Sequence, residues 1–240
     1  MKAAQATLAC LLTVGVCAQA ARATGGGPIA PSQQIAALLT THGVRDRPNA
    51  ASKLVATVNA RRPLTGERTV LPVLAQTVDS RGQFWLRVRL PGRAFGQKPP
   101  PATGWISASH TLLSTTPWHI VVHLGARRVT LYYDGRAVHT YPAIVGKPST
   151  PTPTGQYFVE ENVTLSAGQP GGPYALATSD RSNVLQEFDG GPGQIALHGL
   201  ENVGGQLGTA ESHGCIRLAD STITWLAARI TPGVPVTIKG

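Results

Sequence analysis

The sequence predicts a mainly β protein of two units, built from twisted sheets or a sandwich with one or two short helices. Three observations predict this class. Turn-forming residues are abundant, with 27 glycines and 19 prolines in 240 residues. Short runs of alternating apolar and polar residues recur between the turns, and one stretch alone has convincing helical spacing. Charged residues make up 14% of the chain, which fits a turn-rich β protein with a modest core.

Residues 1–23 have the three parts of an export signal. Lys2 supplies positive charge, Leu8 to Val16 is an apolar run too short to span a bilayer, and two small-x-small sites follow. We expect cleavage after Ala20 or Ala23, no stable membrane span afterwards, and a protein exported to the cell wall, periplasm or extracellular space. A retained membrane anchor is the alternative.

The N-terminal half is predicted to be a small β domain behind a spacer. Residues 24–49 are the expected spacer, in which Gln33 to Leu39 fits either a short helix or a docking strand. Within residues 50–115, Phe84 to Leu90 alternates most clearly, and Gly104-Trp105-Ile106 forms a brief strand. This order resembles bacterial SH3-like wall-binding modules, which are small barrels. An unrelated small β unit is the alternative.

Residues 117–240 carry the stronger strand patterns. Asp134-Gly135 between two alternating runs is a two-residue hairpin signal. The predicted helix is Asp220 to Ile230, with Asp220 as its N-cap. The predicted strands of this half are Trp118 to Leu124, Arg127 to Tyr133, Arg136 to Tyr141, Ala143 to Val145, Gln156 to Leu165, Ile195 to His198 and Val234 to Ile238.

Loss of the signal leaves Cys215 as the one cysteine of the exported chain. Exported proteins usually pair their cysteines in disulfides, so an unpaired thiol is either reactive or accidental. His213 lies two residues before Cys215, and His198 ends a predicted strand upstream. Either imidazole can take the thiol proton, stabilise the thiolate and return the proton to a leaving amine. The spacing alone allows either histidine to be the base.

Other residues of the Cys215 segment suggest supporting roles. Gly214 permits a tight turn, so that the amides of Gly214 and Cys215 can point at an oxyanion. Ser212 can hold the loop or bind substrate, and Arg217 can pair with a carboxylate or only brace the sheet. A buried inert thiol, a core histidine, and a zinc site of His198, His213 and Cys215 are the alternatives, although zinc lacks a fourth ligand.

Two segments together resemble the signature of the L,D-transpeptidases, the YkuD-type catalytic domain. They are Ile195-Ala196-Leu197-His198-Gly199 and, after twelve residues, Ser212-His213-Gly214-Cys215-Ile216-Arg217-Leu218. The upstream Thr152-Pro153-Thr154-Gly155-Gln156-Tyr157-Phe158 is similar to the family's Thr-Pro-x-Gly-x-aromatic segment. The resemblance covers about residues 117–239, and the twelve-residue gap is at the short end of the family's range. It implies an L,D-transpeptidase-like catalytic domain over residues 117–240.

The resemblance also implies roles for single residues. Cys215 is the expected nucleophile and His198 the general acid/base, oriented by the carbonyl of Gly199. His213 is expected to flank the thiol and, with Gly214, to shape the oxyanion pocket. Ser212, Arg217 and Gly199 are expected near the substrate. No cofactor and no metal are expected.

The implied reaction is acyl transfer between peptidoglycan stem peptides, with release of D-alanine and a 3→3 cross-link through a Cys215 thioester. Water as the acceptor makes the protein an L,D-carboxypeptidase, and an inert thiol leaves a wall-binding protein. Removing Lys2 and Arg22 with the signal lowers the formal charge from +9 to +7. This charge favours anionic partners such as the cell wall, while scattered basic residues argue against nucleic acid. A monomer is expected.

Overall fold

The computed structural model describes residues 28–188 and 190–240, so the predicted export signal lies outside the described residues. The described chain is mainly β, as expected, with one short helix among its elements. Two large sheets divide it into an N-terminal unit, residues 28–116, and a C-terminal unit, residues 117–240. Within the described ranges, no helix combines the length and apolar character needed to cross a membrane.

The N-terminal unit is a seven-stranded sheet in the order β3-β2-β6-β5-β4-β1-β7. Its strands are β1 (Gln33–Leu38), β2 (His42–Arg45), β3 (Leu54–Val58), β4 (Val70–Val78), β5 (Phe84–Arg89), β6 (Thr103–Ser107) and β7 (Thr111–Thr116). Neighbouring strands in this sheet pair antiparallel. The SH3-like identity of this unit stays a prediction.

The segment Gln33 to Leu39, for which a short helix or a docking strand was expected, contains strand β1. It pairs with β4 on one side and with β7 on the other, and Leu38 is fully buried between them. The sheet therefore begins inside residues 24–49, where a spacer was expected. The reason is that Ile35, Ala36 and Leu38 supply apolar surface that the small core needs.

The C-terminal unit is an eight-stranded sheet in the order β10-β9-β8-β17-β12-β13-β14-β16, with a separate pair, β11-β15. Its elements are β8 (Trp118–His123), β9 (Arg128–Tyr133), β10 (Arg136–Pro142), β11 (Val145–Gly146), β12 (Gly155–Thr164), β13 (Tyr174–Arg181), β14 (Gln194–His198), β15 (Ala210–Ser212), β16 (Ile216–Arg217), α1 (Asp220–Ala227) and β17 (Pro235–Lys239). Strands β14 and β16 run parallel.

Two local predictions in this unit have different outcomes. Asp134 and Gly135 have φ of 50° and 73°, as the predicted two-residue hairpin requires. The helix ends earlier than expected, and its N-cap is Ala219, so the predicted capping role of Asp220 is wrong. The Asp220 carboxylate instead accepts the Leu200 N–H at 2.6 Å and fixes the chain that follows β14.

The two units share apolar surface. The larger core lies in the C-terminal unit, between its sheet and α1. The smaller core lies in the N-terminal unit and includes Phe158 of β12, which is 1% exposed. Because a side chain of one unit completes the core of the other, the units pack as one body in this structure.

Candidate active site

The site lies where β14 and β16 run side by side. The parallel register places Leu197 opposite Ile216 and His198 opposite Arg217, so Cys215 precedes β16 at the level of Ala196. Leu197 and Ile216 are fully buried on the core side of the sheet. Alternate residues share a face of a strand, so His198, Ala196 and Cys215 lie together on the opposite, more open face.

The predicted nucleophile lies in surroundings that favour the neutral thiol. Cys215 is partly exposed, and its Sγ lies 3.8 Å from the carbonyl oxygen of Gln194. Burial raises the pKa of the thiol, while the Ala196 amide and the charge of Arg217 act in the opposite direction. The resting thiol is therefore protonated at neutral pH and needs a base during attack.

His198 has one ring nitrogen available to accept a proton. Its Nδ1 lies 2.8 Å from the Gly199 carbonyl oxygen, which can only accept, so Nδ1 carries the proton and Nε2 has the lone pair. Burial lowers the pKa of His198, which keeps the ring neutral at neutral pH. The expected thiolate–imidazolium pair is thus replaced, before substrate binds, by a neutral thiol and a neutral imidazole.

The loop that carries Cys215 is held by buried hydroxyl groups. Ser212 is fully buried; its Oγ donates to the Cys215 carbonyl at 2.6 Å and accepts the Gly214 N–H at 3.1 Å. Thr152 Oγ1 donates to the Gly214 carbonyl at 2.7 Å and accepts the Gly146 N–H at 2.9 Å. These bonds fix the turn in which the thiol is presented.

The expected oxyanion pair is corrected by these contacts. The Gly214 N–H already donates to Ser212, so it cannot also point at a developing oxyanion. Gly214 has φ of 122°, a value that L side chains rarely adopt, and its role is to let the chain turn. The Cys215 amide is the remaining member of the predicted pair.

The three residues expected near the substrate have different positions. Ser212 is fully buried, so it holds the loop and cannot contact a substrate. Gly199 orients His198 through its carbonyl. Arg217 is half-buried and its Nη1 lies 3.4 Å from the Val203 carbonyl and 3.3 Å from that of Gly204, so it braces the neighbouring loop.

His213 belongs to the Cys215 turn, and its side chain contacts Lys147 and Phe188. Its side chain is exposed, its Nε2 is 3.4 Å from Lys147 Nζ, and its ring stacks on Phe188 with centroids 6.0 Å apart. The ammonium group can only donate, so this surface contact is made by the Nε2 lone pair of His213. His198, rather than His213, has the free nitrogen.

The zinc alternative finds no support in the geometry. Over residues 28–188 and 190–240, no three His, Cys, Asp or Glu side chains are grouped closely enough to hold a metal ion.

Residues outside the recognised segments also contribute. Thr152 was noted in the Thr-Pro-x-Gly segment, but its function as a clamp on the Cys215 turn depends on a contact across 62 residues of sequence. Asp180 of β13 is 2% exposed, and burial raises its pKa to about 7. Its negative charge, when present, adds to the rise in the pKa of Cys215.

Comparison with known proteins identifies the family of the C-terminal unit. The YkuD family model, described as the L,D-transpeptidase catalytic domain, matches residues 117–238. The putative L,D-transpeptidase YkuD of Bacillus subtilis is 36% identical over 125 residues, covering 52% of this chain and 68% of the relative. L,D-transpeptidase 1 of Mycobacterium tuberculosis is 28% identical over 134 residues, covering 50% of this chain and 49% of the relative.

A solved L,D-transpeptidase structure from Mycobacterium smegmatis aligns with a TM-score of 0.40 and 20% identity, over 66% of this chain and 91% of that one. The family match spans more than half of the chain, and the Bacillus relative is covered over two thirds of its length. The chain therefore belongs to the YkuD family of L,D-transpeptidase catalytic domains.

Proposed function

We propose that this protein is a peptidoglycan L,D-transpeptidase that forms 3→3 cross-links through a thioester on Cys215. The observation that carries the proposal is the arrangement of a partly exposed thiol and a neutral imidazole on one face of β14 and β16. Nδ1 of His198 is committed to Gly199, which leaves Nε2 to exchange protons. Family membership supplies the class of substrate.

In the proposed first half-reaction, Cys215 Sγ attacks the carbonyl that precedes the terminal D-alanine of a tetrapeptide stem. His198 Nε2 takes the thiol proton as the carbon–sulfur bond forms, because the raised pKa of Cys215 keeps that proton in place until then. The imidazolium then protonates the departing D-alanine nitrogen. A thioester remains on Cys215, and His198 is neutral again.

In the second half-reaction, a side-chain amine of a neighbouring stem attacks the thioester. His198 accepts the amine proton and returns it to the departing sulfur, so the enzyme ends as it began. The developing oxyanion needs hydrogen-bond donors, and the Cys215 amide is the donor that we assign. We infer that the protein acts in the cell envelope as a monomer, exported by the signal at residues 1–23.

The test uses a defined disaccharide-tetrapeptide and the chain without residues 1–23. Mass spectrometry of the products distinguishes a cross-linked dimer with free D-alanine from a tripeptide with free D-alanine. We expect the dimer, and we expect Cys215→Ala to yield neither product. His198→Ala should slow D-alanine release by about 10²–10⁴-fold.

Three outcomes oppose the proposal. Tripeptide alone makes water the acceptor and the protein an L,D-carboxypeptidase. No product from the wild-type chain, together with retained binding to isolated peptidoglycan, supports the wall-binding alternative. Comparable D-alanine release by Cys215→Ala excludes Cys215 as the nucleophile.

A further inference from the structure

The carboxylate of Glu160 joins the two units beneath the active site. Its side chain is fully buried in β12 and accepts hydrogen bonds from both sides. From the N-terminal unit come Gly92 N–H at 2.8 Å and Arg62 Nη2 at 2.5 Å. From the C-terminal unit come Arg181 Nη2 at 3.1 Å and Gln194 Nε2 at 3.0 Å. The carbonyl of that same Gln194 faces the Cys215 thiol.

The N-terminal unit fits this surface closely at Gly92. A Cβ atom there would lie 2.6 Å from the Ser179 carbonyl oxygen and 2.7 Å from Cζ of Arg181. Real Cβ atoms essentially never approach that closely. The backbone around Gly92 therefore lies directly against β13, which fixes the position of the next residue, Arg93.

Arg93 reaches from the N-terminal unit into the connection between β13 and β14. Its Nη2 lies 3.3 Å from the Ser182 carbonyl, 3.1 Å from that of Gln186 and 2.9 Å from that of Pro192. Arg181 Nε in turn donates to the Arg93 carbonyl at 3.1 Å. One guanidinium thus contacts both ends and the middle of this connection, which we call the β13–β14 connection and which the structure describes over residues 182–188 and 190–193.

The β13–β14 connection carries Phe188 to the active site. Phe188 is 53% exposed, and its ring stacks on His213 at an interplanar angle of 26°. His213 lies two residues before Cys215. A series of contacts therefore runs from Arg93, through the connection and Phe188, to the turn that presents the nucleophile.

We propose that Arg93 is a positioning residue of the active site, which holds the β13–β14 connection as a wall beside the Cys215 turn. The wall limits the access of water to the thioester and so favours an amine acceptor. The N-terminal unit then helps to position the active site of the C-terminal unit. The statement about acceptors rests on the proposed function; the statement about positioning does not.

The test compares Arg93→Ala and Arg93→Lys with the matched control Arg87→Ala. Arg87 is an exposed arginine of the same unit, and its Nη2 bonds Thr103 Oγ1 at 3.2 Å, within that unit. Hydrogen exchange of peptides from residues 182–193 measures positioning without any substrate. Arg93→Ala should raise their exchange rates at least about tenfold, because loss of a single hydrogen bond is worth roughly that factor and the variant loses contacts with three carbonyl groups. Arg93→Lys should restore part of the protection, and Arg87→Ala should change nothing.

A second readout separates positioning from thiol chemistry. The rate of Cys215 alkylation by iodoacetamide should stay within about twofold in Arg93→Ala, because the thiol keeps its own contacts. The ratio of cross-linked dimer to tripeptide should fall severalfold. Phe188→Ala should lower the same ratio and leave hydrogen exchange in the N-terminal unit unchanged. Because this variant keeps Arg93, a lower ratio in it cannot come from unfolding caused by the loss of the arginine.

Unchanged exchange of residues 182–193 in a folded Arg93→Ala protein overturns the proposal. An unchanged product ratio in both Arg93→Ala and Phe188→Ala overturns the assigned effect on acceptor choice. If the wild-type chain forms no dimer while Arg93→Ala raises exchange as expected, the proposed function fails and the positioning role stands.

Discussion

The imidazole of His198 is held between the carbonyl of Gly199 and the backbone of Gly171. Nδ1 lies 2.8 Å from the Gly199 carbonyl oxygen, and a Cβ atom at Gly171 would lie 2.6 Å from the same nitrogen. The Gly171 carbonyl also accepts the Gly199 N–H at 2.8 Å. The ring is therefore fixed by main-chain atoms on two sides, a function that a carboxylate serves in other catalytic triads.

Gly171→Ala should displace His198 and slow D-alanine release. A misplacement on the order of 1 Å can cost about 10²-fold in rate. The matched control is Gly168→Ala, because Gly168 has φ of 85° against 87° for Gly171 but no atom within 4 Å of its Cβ position. Both variants carry the same backbone strain, so equal losses of activity contradict the assigned contact with His198.

Thr152→Val should weaken the Cys215 turn. The substitution keeps the shape but removes the hydroxyl that bonds the Gly214 carbonyl and the Gly146 amide. Leaving buried partners unsatisfied costs about 1–3 kcal/mol of unfolding free energy, measured by denaturant titration. Thr154→Val, at an exposed position two residues on, is the control and should change stability by less than about 0.5 kcal/mol. Equal effects would remove Thr152 from its assigned role.

The pH dependence of Cys215 alkylation distinguishes a neutral thiol and imidazole from a thiolate–imidazolium pair of Cys215 and His198. Burial raises the pKa of Cys215 above its ordinary 9.0 and lowers that of His198 below its ordinary 6.5. Alkylation of Cys215 by iodoacetamide in the chain without residues 1–23 should therefore keep rising through pH 9. D-Alanine release should hold level near neutrality and fall only below pH 6.5, as His198 becomes protonated. Alkylation that is already constant between about pH 6 and 8 would indicate a preformed thiolate.

Asp180→Asn should stabilise the protein at alkaline pH. Burial raises the folded-state pKa of Asp180 to about 7 from the ordinary 3.8, so the folded state binds the proton more tightly than the unfolded chain. The contribution of the Asp180 carboxyl to the free energy of unfolding is fully present below pH 3.8 and is lost as the pH rises to 7. At pH 8 the amide should recover up to about 4 kcal/mol, measured as a difference in unfolding free energy. If Asp180→Asn stabilises the protein no more at pH 8 than at pH 4, the pKa of Asp180 is not raised.

Much of the fold could be predicted because local patterns carry it. The alternation in Phe84 to Leu90 and the Asp134-Gly135 turn each specify structure within a few residues. Strand β13 was not predicted, since it lies inside the sheet and includes buried Thr178, Ser179 and Asp180 in place of an apolar alternation. Strand β1 was ambiguous because pairing with distant strands, and not its own sequence, decides its form.

The sequence indicated which residues to expect at the site, and their catalytic roles stay predictions. Cys215 and the two histidines stand out in the sequence by residue type, the resemblance to a family singles out His198 and Gly199, and the structure places Cys215, His198 and Gly199 at the ends of the adjoining strands β14 and β16. The contacts that hold them could not be foreseen, because Thr152 with Gly214, and Arg93 with the β13–β14 connection, are joined by tertiary packing. The amide of Gly214 was misassigned, because its partner Ser212 is defined only once the turn has formed.

The most direct test of the account is the covalent intermediate itself. The chain without residues 1–23 is mixed with a tetrapeptide donor and no amine acceptor, quenched in acid, and its intact mass is measured. We predict a mass increase equal to the donor less D-alanine, located on the peptide that contains Cys215, absent in Cys215→Ala and removed by hydroxylamine. D-Alanine release without such an adduct, or an adduct that persists in Cys215→Ala, contradicts the central claim that Cys215 carries the acyl group.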